Sequence, residues 1–301
     1  MFARYFGQFL LVEGYVNAVE LEHAFQHQAE TRVKLGVLAI NRGFMSADQV
    51  QEVHSSQTRL DKRFGEIAVS LQYLSEAQVD SLLSSQSTAH LSLGQALIDQ
   101  GSLSFDTFGA ALEQYKEKQG LSDEQFEQIA KGGIEPLLAA VLLQDDLTSK
   151  HPVGSYINLF AKNMIRFIES HIRLERISLE EAGTYDWVAH QSIQSGDRSK
   201  SRITAIAGSE AAFLELASRY ALEPVDAPDE MMKASVGEFL NLHNGIYLVN
   251  RSNEGVELDL APQSVIHGNT FLARTEIQAI IRVYSPTFSF DLLISDLSDL
   301  S

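Results

Sequence analysis

The stretch Ser235–Gly268 reads SVGEFLNLHNGIYLVNRSNEGVELDLAPQSVIHG. Its first half is apolar at helical spacing, which predicts a helix over Met231–Val249. Glu238 and Asn241 stand three positions apart, so their side chains share nearly one helix face. Gly245 lies one further turn along that face, where a missing side chain lets another backbone approach closely. An acid beside an amide on a rigid helix can work as a pair, the acid anchoring a cationic partner and the amide orienting a water. Beyond the helix, Val256–Leu260 reads as a strand, followed by Pro262 and the apolar-Gly end Val265-Ile266-His267-Gly268.

Outward from this stretch, residues 151–301 read as one domain. Tyr156-Ile157-Asn158-Leu159-Phe160 opens a helix that continues through Met164, Phe167 and Ile168. Tyr185–Ser195 and Arg202–Ala207 read as strands around the turn Ser195-Gly196-Asp197, a hairpin pattern. Ser209 is placed to cap a helix through Tyr220, and Thr270–Tyr284 and Thr287–Ile294 supply further strands. The sum is an α+β sandwich with helices over a mostly antiparallel sheet.

The pattern Glu-x-x-Asn-x-x-x-Gly, met by Glu238, Asn241 and Gly245, resembles the chemotaxis phosphatase family CheX and its relatives CheC, and so does the Tyr-Ile-Asn-x-Phe helix opening at Tyr156. The resemblance runs from about Ser155 to Ser295. It implies a cytoplasmic enzyme of two-component signalling that hydrolyses the phosphoaspartate of a CheY-like receiver. Asn241 would orient the attacking water, and Glu238 would pair with the receiver's lysine. Gly245 would serve helix packing or docking. No intrinsic cofactor is implied, since the receiver supplies its own magnesium. Some relatives carry a second Glu-x-x-Asn on the first long helix. Here Phe160-Ala161-Lys162-Asn163 lacks the acid, so Asn163 is not expected to form a second site. The resemblance also implies a homodimer, to which Phe288–Ile294, taken as an apolar edge strand that needs covering, would contribute. His243 and Asn244 point elsewhere on the helix, and His243 is expected to be a packing or surface residue.

Residues 1–117 are an internal repeat. Gly7, Gly36, Gly65 and Gly94 recur at one interval, preceded by Phe6, Leu35, Phe64 and Leu93. Leu21, Val50, Val79 and Phe108 recur in step, as do Gln28, Gln57, Gln86 and Tyr115. A fixed period of this kind marks stacked supersecondary units, here pairs of short helices. In the second copy Gly43 is suited to close the first helix in a left-handed conformation. Asn17 with Glu20, Ser46 with Gln49 and Ser75 with Gln78 read as capping boxes. The repeat resembles the N-terminal module of type II secretion and type IV pilus ATPases, the MshE and GspE type, over roughly residues 4–117. MshE-type copies bind cyclic di-GMP through an opening Arg-Leu-Gly and a terminal Gln. Carried onto this chain, that implies Lys34, Leu35, Gly36, Gln57, Arg63, Gly65 and Gln86 as nucleotide contacts. The opening Arg is Tyr5, Lys34, Arg63 and Ser92 in the four copies, so only the third keeps it. GspE-type modules with degenerate motifs dock proteins instead.

Residues 118–150 read as a helical connector and linker, with Ser122 and Gln125 capping one helix, Gly132-Gly133 breaking it, and a joint at Gln144–Pro152. The 301-residue chain has room for two ordinary domains, and its hydrophobic fraction of 45% is normal for globular protein. It has no cysteine, which excludes disulfides and thiolate-held metals and fits a reducing compartment. A formal net charge of -17 argues against general nucleic-acid binding. MFARYFGQFLLVEGY is interrupted by Gln8 and Glu13, unlike a signal peptide, and no apolar run is long enough for a membrane span. No metal-ligand spacing, nucleophile elbow or phosphate-binding lysine loop is present. The rival readings are a non-catalytic receiver-binding adaptor and a cyclic di-GMP sensor.

Overall fold

The computed structural model describes residues 1–84, 88–142, 151–268 and 276–300. The chain divides into two separately packed units, Met1–Gly133 and Ile134–Ser301.

The first unit is helical. Its pairs are α1 (Phe2–Val12) with α2 (Ala18–His27), α3 (Leu35–Asn41) with α4 (Ala47–Leu60), α5 (Phe64–Ser70) with α6 (Glu76–Ser84), and α7 (Ala89–Asp99) with α8 (Phe105–Lys118), followed by α9 (Asp123–Ala130). Local chemistry sets each boundary. Asn17, Ser46 and Ser104 accept from the backbone N–H three residues on, and the side chain there bonds back, giving reciprocal capping boxes. Ser75 with Gln78 and Ser122 with Gln125 do the same. First helices are followed by a left-handed residue at Gly14, Gly43, Gln72 and Gly101, of which only Gln72 carries a side chain.

The recurring glycines are contact points. A Cβ built on Gly7, Gly36, Gly65 or Gly94 would meet Leu21, Val50, Val79 or Phe108 respectively, the corresponding residue of the second helix in each copy. Their absent side chains let paired helices pack closely. The Gly7 position also abuts Phe25, whose ring lies under the Arg4 guanidinium. Phe2, Phe6, Phe9, His90, Tyr115 and Phe126 form an aromatic cluster with mostly edge-on or tilted rings, and Phe126 brings α9 into this core.

The second unit runs α10 (Ile134–Val141), α11 (Pro152–Phe167), β1 (Arg173–Ile177), β2 (Trp187–Ser195), β3 (Ser201–Gly208), α12 (Glu210–Ala221), α13 (Glu230–Asn253), β4 (Leu258–Leu260), β5 (Ser264–His267), β6 (Ala279–Tyr284) and β7 (Ser289–Ile294), then a 3-10 turn at Ser298–Leu300. Among the described residues, seven strands form one sheet in the order β1-β6-β7-β3-β2-β4, with β5 also on β2, and every pairing is antiparallel. The unit is therefore mixed helix and sheet, as the sequence pattern predicts.

Strand alternation gives the sheet two different faces. Trp187, Ala189, Gln191 and Ile193 of β2 share the face of Thr204 on β3, which bonds to α13, and of Phe290 on β7, which meets Phe160 of α11. On the opposite face Val188, Ala205, Ala207, Ile280 and Leu293 join Ile177, Ala182 and Tyr185 in a second cluster. Asp291, 2% exposed, takes two bonds from its cross-strand partner Arg282 at 2.8 and 2.9 Å and one from the Tyr185 hydroxyl at 2.7 Å. These contacts lock the β6–β7 register.

Two expectations change. Phe288–Ile294 is not an edge strand: β7 lies between β6 and β3, and Phe290 to Ile294 are all buried. Its apolar residues Phe290, Leu292, Leu293 and Ile294 are buried within the unit. The strand expected over Thr270–Tyr284 is Ala279–Tyr284 among the described residues, and 269–275 lie outside them. The strand β1 has no counterpart in the sequence reading. Most of the predicted joint, 144–150, also lies outside the described residues.

Candidate functional site

The long helix α13 places the candidate pair. Asp229 caps it, accepting from Met231 N at 2.9 Å and Met232 N at 3.2 Å. Met232, Val236, Phe239, Leu240, His243, Asn244 and Tyr247 form its buried stripe. Burying a Phe or Leu side chain is worth roughly 1.5–3 kcal/mol, so this stripe fixes the helix rotation. Glu238 falls outside the stripe and is exposed, while Asn241 falls at its border and is half-buried.

Gly245 does not have the expected packing role: nothing lies within 4 Å of a Cβ built there. Gly237 makes the close approach instead. A Cβ there would lie 3.3 Å from Gln263 Cγ and 3.4 Å from Val265 Cγ2, so α13 sits tightly over the β4–β5 connection. That approach brings Gln263 within reach, and its Nε2 donates to Glu238 Oε1 at 2.8 Å. Asn241 Nδ2 faces Glu238 Oε2 at 3.5 Å. On the α12 side, burial and then the Glu238 carboxylate raise the Tyr220 phenol above its ordinary value.

Beneath Asn241 lies a polar line that sequence reasoning missed. Gln191 of β2, 1% exposed, donates through Nε2 to Asn241 Oδ1 at 2.8 Å and to the Ala261 carbonyl at 2.9 Å. Its Oε1 accepts from Asn244 Nδ2 at 2.8 Å. Asn244 in turn takes the Tyr156 hydroxyl at 2.7 Å and donates to Thr204 Oγ1 at 3.1 Å. The available signals were an amide at an inward position of an alternating strand and another on an apolar helix stripe. Neighbouring His243 is fully buried between the Tyr156 and Phe160 rings, and Asn163 Nδ2 lies 3.0 Å from its Nδ1. Desolvation lowers its pKa to about 3, so it is neutral packing, as expected. Asn163 is itself buried, away from any docking surface.

Among the candidate nucleotide contacts in the first unit, Lys34 and the backbone N–H of Arg63 have internal partners. Lys34 caps α3, with its N–H donating to the buried Gln95 Oε1 at 3.0 Å and its Nζ paired with Asp99 at 2.6 Å. Arg63 is exposed at the start of α5, and its N–H donates to Glu66 Oε2 at 3.2 Å. Leu35 packs on the core of that unit, and Gly36 and Gly65 abut Val50 and Val79. Gln57 is half-buried on α4, and Gln86 lies outside the described residues. A phosphate entering at either helix start would meet the Asp99 or Glu66 carboxylate. Among the described residues no cluster of His, Cys, Asp or Glu could hold a metal, and no helix is long and apolar enough to cross a membrane.

No family model and no curated protein matches the chain. Among solved structures it is similar to the chemotaxis protein CheX from Vibrio vulnificus, at 18% identity over 48% of this chain and 97% of that one, TM-score 0.41. It is likewise similar to a chain of the CheX–CheY–BeF3–Mg2+ complex from Borrelia burgdorferi, at 14% identity over 48% and 96%, TM-score 0.40. A CheC-like superfamily protein from Shewanella sp. PV-4 follows at 16% identity over 48% and 95%, TM-score 0.38.

Proposed function

We propose that the Ile134–Ser301 unit is a phosphatase acting on the phosphoaspartate of a CheY-like receiver. The observation that carries this reading is the surface pair on α13: an exposed Glu238 beside an Asn241 whose amide nitrogen is turned toward it. The substrate class comes from the Glu-x-x-Asn-x-x-x-Gly resemblance.

Hydrolysis requires a water oxygen to attack phosphorus in line with the bond to the aspartate carboxylate. The P–O bond breaks, the carboxylate leaves with the electron pair, and inorganic phosphate forms. The receiver's own magnesium supplies charge neutralisation at the phosphoryl oxygens. This leaves positioning as the phosphatase's task. An amide is no base at neutral pH, but its N–H can hold the water oxygen while leaving a lone pair for phosphorus. Glu238 is the group that would meet a receiver cation and set the docking register. The second unit thus supplies chemistry, and the helical repeats of Met1–Gly133 serve targeting or regulation.

Time-resolved loss of phosphoaspartate from the full set of receivers, with and without the protein, tests this. Asn241→Ala should fold, dock and lose roughly 10²–10³ in rate, the usual cost of one positioned polar group. Hydrolysis at the parental rate by that variant would refute the assignment. Receiver binding with no hydrolysis by the parent would favour a non-catalytic adaptor.

A further inference from the structure

We propose that Gln191 is a positioning residue that locks the Asn241 carboxamide with its amino group toward the surface. The lock itself is a matter of hydrogen-bond direction; its catalytic consequence rests on the reading of Asn241 given above.

The polarity of the whole line follows from one atom. The Ala261 carbonyl can only accept, so the Gln191 atom 2.9 Å from it must be the amide nitrogen. Turning that carboxamide over would set oxygen against oxygen. With the nitrogen fixed, its second hydrogen points at Asn241, 2.8 Å away, and Asn241 must present Oδ1 inward. Nδ2 is thereby directed outward, toward Glu238 Oε2 at 3.5 Å. The other end of Gln191 agrees. Its Oε1 accepts from Asn244 Nδ2, and Asn244 Oδ1 accepts from the Tyr156 hydroxyl. Gln191, Asn244, Thr204 and Tyr156 are at most 1% exposed, so water does not compete for these bonds. The result is a surface donor whose orientation is set by the sheet and by a backbone carbonyl. Such a donor can hold the oxygen of a nucleophilic water without rotating to become an acceptor.

The test uses Gln191→Met, which keeps length and removes both polar ends, and Gln191→Glu, which offers Asn241 an acceptor and so turns its oxygen outward. Folding is checked by circular dichroism and thermal melting. With a phosphorylated receiver, both variants should lose roughly 10–100-fold in kcat with KM unchanged within about twofold, the mark of lost orientation rather than lost docking. Adding Gln191→Met to Asn241→Ala should cost no more than about twofold further, because a residue that acts through Asn241 has nothing left to position. A folded Gln191→Met variant with parental kcat, or losses that multiply in the double variant, overturns the proposal. A second readout needs no activity: the side-chain amide protons of Asn241, followed by NMR. Their shifts should stand apart from free-asparagine values in the parent and move toward them in Gln191→Met; identical signals in both overturn the lock. If the parent hydrolyses no receiver, the phosphatase reading fails, and the amide signals alone decide whether Gln191 holds Asn241.

Discussion

Gly94→Ala is the most damaging of four equivalent substitutions that the repeat offers. A Cβ at position 94 would overlap the Phe108 ring, whose Cδ2 and Cζ lie 2.8 and 2.9 Å away. Phe108 is fully buried and meets Phe6 edge-on at 6.3 Å, so the ring has no free space to enter. Overpacking of this kind costs about 1–3 kcal/mol. Alanine regains about 1 kcal/mol of helix propensity. The overlap involves several atoms of a buried ring and so falls in the upper part of that range, about 2–3 kcal/mol, leaving a net loss of about 1–2 kcal/mol. At Gly36 the obstacle is one methyl of the fully buried Val50, 2.6 Å away, and the two effects nearly cancel. Gly7 meets the tip of the half-buried Phe25 at 2.8 Å, a ring edge that can move. At Gly65 the nearest atom is Val79 Cγ1 at 3.0 Å on a half-buried side chain, and the change should be neutral or mildly stabilising. Urea unfolding followed by circular dichroism ranks the four. The single tryptophan, Trp187, lies in the second unit, so its fluorescence midpoint should stay fixed while the helical signal shifts. Gly65→Ala proving worst, or Gly94→Ala proving as stable as the parent, would refute the packing account of these glycines.

Three further outcomes are expected. Gln72 adopts φ +62° where its counterparts are Gly14, Gly43 and Gly101, so Gln72→Gly should stabilise the first unit by about 0.5–1 kcal/mol, and a lower midpoint would count against that. His243 stays neutral in the fold down to a pKa of about 3, whereas the unfolded chain binds that proton below about 6.5. Its contribution is therefore complete above about pH 6.5 and declines on acidification by up to about 1.4 kcal/mol per pH unit, so the Trp187 midpoint should fall between about pH 7 and 5, and His243→Gln should flatten the slope. Because the Asp99 and Glu66 carboxylates sit at the two helix starts, calorimetry with cyclic di-GMP should show no heat, and heat abolished by Arg63→Ala would restore those starts as a ligand site.

The elements legible in the sequence were those whose causes are local. Capping boxes at Asn17, Ser46, Ser75 and Ser122 and the left-handed Gly43 depend on neighbours within a turn, and the structure has them. β1 was missed because Arg173, Glu175 and Arg176 give it the charged character of an edge, which is where it lies. β7 was misplaced for the opposite reason. Its unbroken apolar run was read as a surface needing cover, although a strand buried on both faces has just that composition. Both Gly237 and Gly245 break helix propensity, and the pattern favoured Gly245. Only the position of Gln263, from the β4–β5 connection, and of Val265, from β5, shows that Gly237 makes the close approach. The adjacency of Glu238 and Asn241 was legible because they share one helix face. Gln191 was not, because its partners lie 50 to 70 residues away along the chain.

The two polar clusters of the second unit differ in a way that bears on function. On one sheet face Asp291, Arg282 and Tyr185 satisfy one another, and Arg282 donates once more to the Glu181 carbonyl. Such a set fixes register and then ends. On the other face Tyr156, Asn244, Thr204, Gln191 and Asn241 are joined bond by bond, and each amide buried without a partner would cost about 1–3 kcal/mol. An apolar filling would hold α13 on the sheet without that liability, since Phe239, Leu240 and Tyr247 already anchor it. What apolar packing cannot do is transmit hydrogen-bond direction. The line has one open end, the outward N–H of Asn241 beside an exposed carboxylate. A network of buried amides that fixes the polarity of a single surface donor is explained by a task for that donor, and the task proposed for it, holding a water against a partner's phosphoryl group, requires fixed polarity.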